Sequence, residues 1–369
     1  MTIDCPRREL FEAVQLAGSP STGRATTLPI FQSLLFEAEP GKVRLLGCDG
    51  EMWVERTMAA NVSNGGSLAV QARLMNDILG QLPEGELRIE QPNGASLRLS
   101  LAASEFRVVG MTAEDFPGIP DVTGQATVKI KKSDLLKMVG AVDFAVAKEN
   151  QGRPVLTGVL FHYDGEKLKT VATDTHRLAV ITADYPGLGQ AVTAVVPDRA
   201  IQVIKKLPTN DSEEITLTFS EDKLMVVSDG TRLVSQLLRG EFPAYERVFP
   251  SSSTRKWLLD RESFASALKR AGVLARESAQ RVVLKSDGDH VIMNSRSEGI
   301  GEGKEEMEIV KEGSDLEIAF NGRYLLDALG PIDTPGVALE MTENDRPAVI
   351  RPSEGSNDYT CVIMPMALI

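Results

Sequence analysis

Residues 7–17 read Arg-Arg-Glu-Leu-Phe-Glu-Ala-Val-Gln-Leu-Ala. Leu10, Phe11, Val14 and Ala17 recur at the spacing of one apolar helix face, so the stretch predicts an amphipathic helix. The pattern returns twice, in Ser133-Asp134-Leu135-Leu136-Lys137-Met138-Val139 and in Glu262-Ser263-Phe264-Ala265-Ser266-Ala267-Leu268. Leu10, Leu135 and Phe264 then stand at intervals of 125 and 129 residues, and Ser133 and Ser263 lie near the expected helix caps. A second helix follows in each unit, at residues 72–79, 198–204 and 322–329, with Arg73, Arg199 and Arg323 at intervals of 126 and 124.

Between the helices come short β-type runs such as 33–37, 159–163 and 290–293, broken by Gly, Asp and Asn turns. Each unit closes on a further strand, at 106–111, 233–238 and 359–364. The prediction is an α+β chain of three similar domains, each with two helices and antiparallel sheets. The proline-stiffened turns Phe116-Pro117-Gly118-Ile119-Pro120 and 242–250 end the first two units, which gives boundaries at 1–120, 121–250 and 251–369.

Composition fits folded domains: 42% hydrophobic and 25% charged residues over 369 positions, with no apolar run near the roughly 18 residues of a membrane span. The first residues do not read as a signal peptide, so a cytoplasmic location is expected. Cys5, Cys48 and Cys361 are far apart and odd in number, which favours reduced buried thiols over a disulfide framework or zinc site. The net charge of −12 argues against a uniformly basic nucleic-acid binder. Its distribution says more: the helical segments 6–17, 71–82, 130–140, 197–207, 260–272 and 321–329 hold 13 Lys/Arg against 8 Asp/Glu, and the remainder is net −17. Basic helices on an acidic body suit a chain that meets DNA through its helices.

Catalytic readings fail on their requirements. Asp174 and His176 have no nucleophile turn to serve. Gly299–Lys304 resembles a phosphate loop superficially, but Glu298 stands where the first glycine belongs and Glu305 where a Ser or Thr would hold magnesium. No two of the three histidines have metal-ligand spacing. A cofactor and a metal are therefore not expected. The alternative is a repeat-built enzyme whose site is too dispersed to see.

Two segments suit binding better than chemistry. Residues 171–179 set Thr, His and Arg between apolar runs, and the terminal residues 362–369 combine methionines with a proline. Such a surface adapts to varied apolar anchors, and an adjacent Arg orients a peptide. The competing reading is two core strands.

The stretches "ATDTHRLAV" (172–180), "GEFPAYERVFP" (240–250) and "VIMPMAL" (362–368) occur in this order in the beta sliding clamps of bacterial DNA polymerase III, and the chain resembles that family from end to end. The resemblance implies a non-catalytic processivity factor. Two chains would join head to tail into a ring, helices inside and sheets outside, that encircles duplex DNA without reading sequence and tethers the replicative polymerase, the clamp loader and repair proteins through short linear motifs. It further implies a peptide cleft of Leu156, Thr173, Thr175, His176, Arg177, Leu178, Pro243, Arg247, Val248, Asn321, Tyr324, Arg346, Val362, Met364, Pro365, Met366 and Leu368. Apolar pockets would take the motif's Leu or Phe, and Arg177 would fix its direction. Thr175 stands where the family commonly has Gly, and the chain ends Ala367-Leu368-Ile369 where the family commonly has Arg-Leu.

The resemblance assigns DNA contacts to Arg24, Asn150 and Gln151, with Arg73, Arg199 and Lys205 on the inner helices. It assigns the apolar centre of the dimer interface to Phe106, Val108, Val273 and Leu274; around it the charges of Arg98 and Arg107 are expected to face Glu298, Glu302 and Glu305 of the second chain.

Overall fold

A computed structural model of the chain describes residues 1–369 apart from 24–27, 93, 125, 149–151, 187–189, 209–213, 277, 356–357 and 369. Six helices each continue directly out of a strand: α1 (Arg7–Ala17), α2 (Ala72–Gln81), α3 (Lys132–Gly140), α4 (Asp198–Ile204), α5 (Arg261–Ala275) and α6 (Gly322–Leu329). The repeat registers hold. Leu10, Leu135 and Phe264 are all buried, and Arg73, Arg199 and Arg323 are each the second residue of their helix. α5 runs past residue 272 because Ala271 and Ala275 continue its buried face. Its cap is Asp260, whose carboxylate accepts the Ser263 N–H at 2.8 Å; Ser263 is thus the donor and not the cap. Ser133 lies inside the first turn of α3, its hydroxyl 3.4 Å from Asp134 Oδ1.

By contacts the chain forms two compact units. The first comprises Met1–Leu135, Leu188–Val192 and Arg199–Leu237, and the second Leu136–Gly187, Thr193–Asp198 and Leu238–Ile369. The middle repeat is therefore shared between them, and the reason lies in backbone hydrogen bonding.

In the first unit a thirteen-stranded antiparallel sheet runs on from the first repeat into the middle one. The join is the pairing of Thr231–Gln236 with Met52–Ala59, Thr231 opposite Arg56 and Ser235 opposite Met52. It depends on a glycine. Gly230 has φ +64°, and a Cβ there would sit 2.9 Å from the Thr57 carbonyl oxygen, while Gly230 O accepts the Thr57 N–H at 2.7 Å. In the second unit the join recurs in a nine-stranded sheet, where Arg177–Asp184 pairs with Tyr359–Ile363.

Both joins follow one rule: the closing strand of one repeat pairs with the fourth strand of the repeat before it. Two strands are left over. Gly301–Glu308, the fourth strand of the last repeat, is the outer strand of a four-stranded sheet. Ser104–Met111, the closing strand of the first repeat, meets Gly66–Gln71 only through Met111 and Gly110, which leaves 104–109 open on that side.

Each fully buried side chain such as Phe36, Phe264 or Trp257 contributes on the order of 1.5–3 kcal/mol by leaving water. One apolar cluster matters for function: Leu160, Val171, Leu178, Val195, Tyr245, Val349 and Val362 pack together in the second unit. Among the described residues no helix is long and apolar enough to cross a membrane.

Candidate functional site: a two-lobed groove in the second unit

The groove is built around the hairpin that joins Lys167–Thr173 to Arg177–Asp184. Asp174 Oδ1 accepts the N–H groups of His176 and Arg177, both at 3.0 Å, and Thr173 Oγ1 donates to Arg177 O at 2.7 Å while accepting the Thr175 N–H at 3.2 Å. This side-chain-capped turn forces Thr175 to φ +75°, a left-handed conformation that costs a β-branched residue on the order of 1–3 kcal/mol.

The Arg177 side chain is only 8% exposed. Its Nε donates to Asp174 Oδ2 at 3.1 Å, and its terminal nitrogens donate to Asp327 Oδ2 at 2.6 Å and to Phe144 O at 2.5 Å. The Tyr324 ring lies 4.2 Å from the guanidinium carbon. Three of its five N–H donors are held by internal partners, so Arg177 braces the groove while it also lines both of the groove's lobes.

The last strand pairs beside the hairpin in the same sheet and extends its wall. Leu178 pairs with Val362, Met364 donates its N–H to His176 O at 2.9 Å, and Met366 donates to Ala319 O at 2.7 Å. Two adjoining cavities lie against it. One, about 220 Å³, is lined by Leu156, Leu178, Pro243, Tyr245, Val248, Val362 and Met364, with Thr173, Thr175, Arg153 and Arg177 at its rim. The other, about 650 Å³, is lined by Val146, Ala147, Lys148, Asp174, His176, Arg323 and Tyr324 and shares Arg153, Leu156, Thr175 and Arg177 with the first. The apolar lobe is smaller than the roughly 300–1,000 Å³ of small-molecule sites, a size suited to a side-chain anchor. Its floor is rigid: Leu178, Tyr245 and Val362 belong to the cluster beneath, and burial pushes the Tyr245 phenol up to about 12.

Eleven residues expected in the cleft line these cavities: Leu156, Thr173, Thr175, His176, Arg177, Leu178, Pro243, Val248, Tyr324, Val362 and Met364. Arg247, Asn321, Arg346, Pro365, Met366 and Leu368 are not among the lining residues. Asn321 caps α6, accepting from Arg323 N and Tyr324 N, and Arg346 lies 3.8 Å from Asp345. Sequence reading missed Lys148, Arg153 and Arg323 as lining residues, since nothing local marks a surface cation as facing a groove.

Family models of the DNA polymerase III beta subunit match residues 1–120 (N-terminal domain), 129–244 (central domain) and 246–367 (C-terminal domain). The chain belongs to the beta sliding clamp family. It is 30% identical to the beta sliding clamp of Staphylococcus aureus over 351 residues, 92% of this chain and 93% of the relative. The crystal structure of the Pseudomonas aeruginosa beta subunit bound to griselimycin superimposes with a TM-score of 0.91 at 27% identity, and that of the Thermotoga maritima beta subunit with 0.91 at 25%, each covering all of both chains. Three clamp domains of helices and antiparallel sheets make up the chain, a processivity subunit and not an enzyme.

The other expected residues divide sharply. Arg24, Asn150 and Gln151 lie outside the described residues. Arg73 is exposed, 4.0 Å from Asp77, and Lys205 is exposed. Arg199 is held within the fold, 2.6 Å from the Asp49 carboxylate, itself 1% exposed, and it donates to Pro20 O at 3.3 Å. At the expected interface Val108 is a correction, because it is 1% exposed within the first repeat's core. Of the expected residues Phe106 (39%) and Val273 (64%) are exposed, and so are Val109 (75%) and Ile300 (64%), which sequence reading missed. Leu274 is half-buried, near Gly303, and Glu298 and Glu302 are exposed. Glu305 takes Arg270 bidentately at 3.0 and 2.6 Å, which holds its carboxyl below the usual range. Arg98 lies 2.6 Å from Glu90, and Arg107 donates to Ser96 Oγ at 3.3 Å. Within one chain Arg98 and Glu305 thus already have partners at the surface.

Proposed function

We propose that two copies of this chain, each divided at about 1–120, 121–250 and 251–369, close head to tail around duplex DNA. The observation that carries this is the strand-joining rule. Middle and last repeats each lend a closing strand to the repeat before, so the open Ser104–Val109 edge of one chain is the natural partner for the open Gly301–Glu308 edge of another. Phe106, Val109, Val273 and Ile300 supply exposed apolar area there. Glu105 and Arg107 run alongside Glu302 and Lys304, which favours head-to-tail joining. Threaded in this way, the protein holds DNA by topology, with weak phosphate contacts from helix cations such as Arg73, and works at the nucleoid.

The groove is the tether. A short linear motif of the replicative polymerase, the clamp loader or a repair protein seats a Leu or Phe in the 220 Å³ lobe, its backbone running along the wall made by Met364 and His176. Isothermal titration with a polymerase-tail peptide tests this. Met364→Ala should weaken binding about fivefold to tenfold, and deletion of 364–369 should abolish it. Equal affinity of the deleted chain refutes the assignment.

A further inference from the structure

The larger lobe carries a charge imbalance that the apolar anchor does not use. Lys148, Arg153 and Arg323 are exposed around it, and none has a carboxylate within 4.0 Å among the described residues. The acids nearby are already engaged. Asp174 accepts two backbone N–H groups and the Arg177 Nε, and Asp327 accepts the Arg177 terminal nitrogen. Arg177 offsets only part of these two half-buried carboxylates, yet the lining of the lobe still sets Lys148, Arg153, Arg177 and Arg323 against Asp174, on a chain whose net charge is −12. Such a chain repels acidic segments everywhere except where local cations reverse the field.

We infer that the peptides this groove accepts carry carboxylate side chains on the flank that lies over the Lys148, Arg153 and Arg323 lobe, beside the residue that fills the apolar lobe. Arg153 lines both lobes, so the acidic flank starts within a residue or two of the anchor. The acids supply orientation and association rate, and the apolar lobe supplies retention. This rests on the groove reading above and adds to it the chemical class of the flank.

Three fluorescein-labelled dodecapeptides with one central Leu-Phe anchor test it by fluorescence polarisation: an acidic Asp/Glu triplet before the anchor, the same triplet after it, and a Gln triplet in both places. At about 50 mM salt one acidic peptide should bind about tenfold more tightly than the Gln peptide, a difference of about 1.4 kcal/mol. At about 500 mM the advantage should shrink to threefold or less. Lys148→Glu/Arg323→Glu should bring the ratio of acidic-peptide to Gln-peptide affinity to one or below. Glu at position 323 falls in the first turn of α6, where the helix dipole favours an acid, so the variant folds. If the three peptides bind within twofold of one another, or if the charge-reversed chain keeps the preference, the inference is wrong. If none binds although the chain is retained on circular DNA, the groove reading itself fails and this inference with it.

Discussion

Asp327→Ala removes one of the two carboxylates that hold Arg177 inside the groove wall. The guanidinium is 8% exposed and loses its 2.6 Å partner, while Asp174 and the Phe144 carbonyl remain. A charge-assisted hydrogen bond contributes about 1.5–3 kcal/mol net. Asp327 is itself 26% exposed, so water replaces part of the loss and the expected cost is about 2 kcal/mol, roughly a thirtyfold shift in the unfolding equilibrium of the second unit. Asp327→Asn keeps a neutral acceptor and should cost about half as much. The double variant with Arg177→Leu should cost at least 1 kcal/mol less than the sum of the single ones, because the residues share one interaction. Urea titration at constant m-value reads these costs. Peptide affinity should fall about threefold to tenfold as well, since the Asp174–His176 turn and Tyr324 lean on the same guanidinium. A single-variant cost below about 0.5 kcal/mol, or strict additivity in the double variant, refutes the view that Arg177 is a positioning residue.

Thr175→Gly should stabilise the chain by about 1 kcal/mol, because it relieves a left-handed β-branched residue; a fall in midpoint temperature counts against the strain. Burial pushes the thiols of Cys5 and Cys361 up to about 12 and that of Cys48 up to about 11. Their folded values lie above the ordinary 9.0, so the stability they contribute is complete below pH 9 and is lost as pH rises toward 11–12. Iodoacetamide at pH 8 should label none of the three in the folded chain and all three in urea. Val109→Asp with Ile300→Asp should leave a folded monomer by light scattering, because both side chains are more than half exposed in one chain; a persisting dimer contradicts the proposed interface.

The sequence carried the repeat because periodicity is local: Leu10, Leu135 and Phe264 each face a core at matching positions, and residues 72–79 declare a helix by themselves. It could not show that the middle repeat is divided, because the joining of Thr231–Gln236 to Met52–Ala59 is a backbone ladder with no residue signature beyond Gly230. Side-chain surroundings were not legible. Arg177 and Arg199 read as ligand-facing cations, and folding sets an internal carboxylate beside each, with Arg177 at 8% exposure and Arg199 at 36%. Val108 alternates correctly with Phe106 but lies farther under the sheet, and the exposed apolar residue is Val109. The C-terminal strand was legible as a groove wall from its methionines, while the cations of the larger lobe come from two distant segments, 148–153 and α6, that only folding brings together.

Retention on DNA tests the central claim most directly. The chain, loaded onto nicked circular plasmid and passed over a sizing column, should co-elute with the circle and leave it within minutes once a restriction enzyme makes a single double-strand cut, with no DNA or nucleotide consumed by the chain itself. Equal retention on circular and linear DNA would mean that affinity and not topology holds it, and the ring would be wrong.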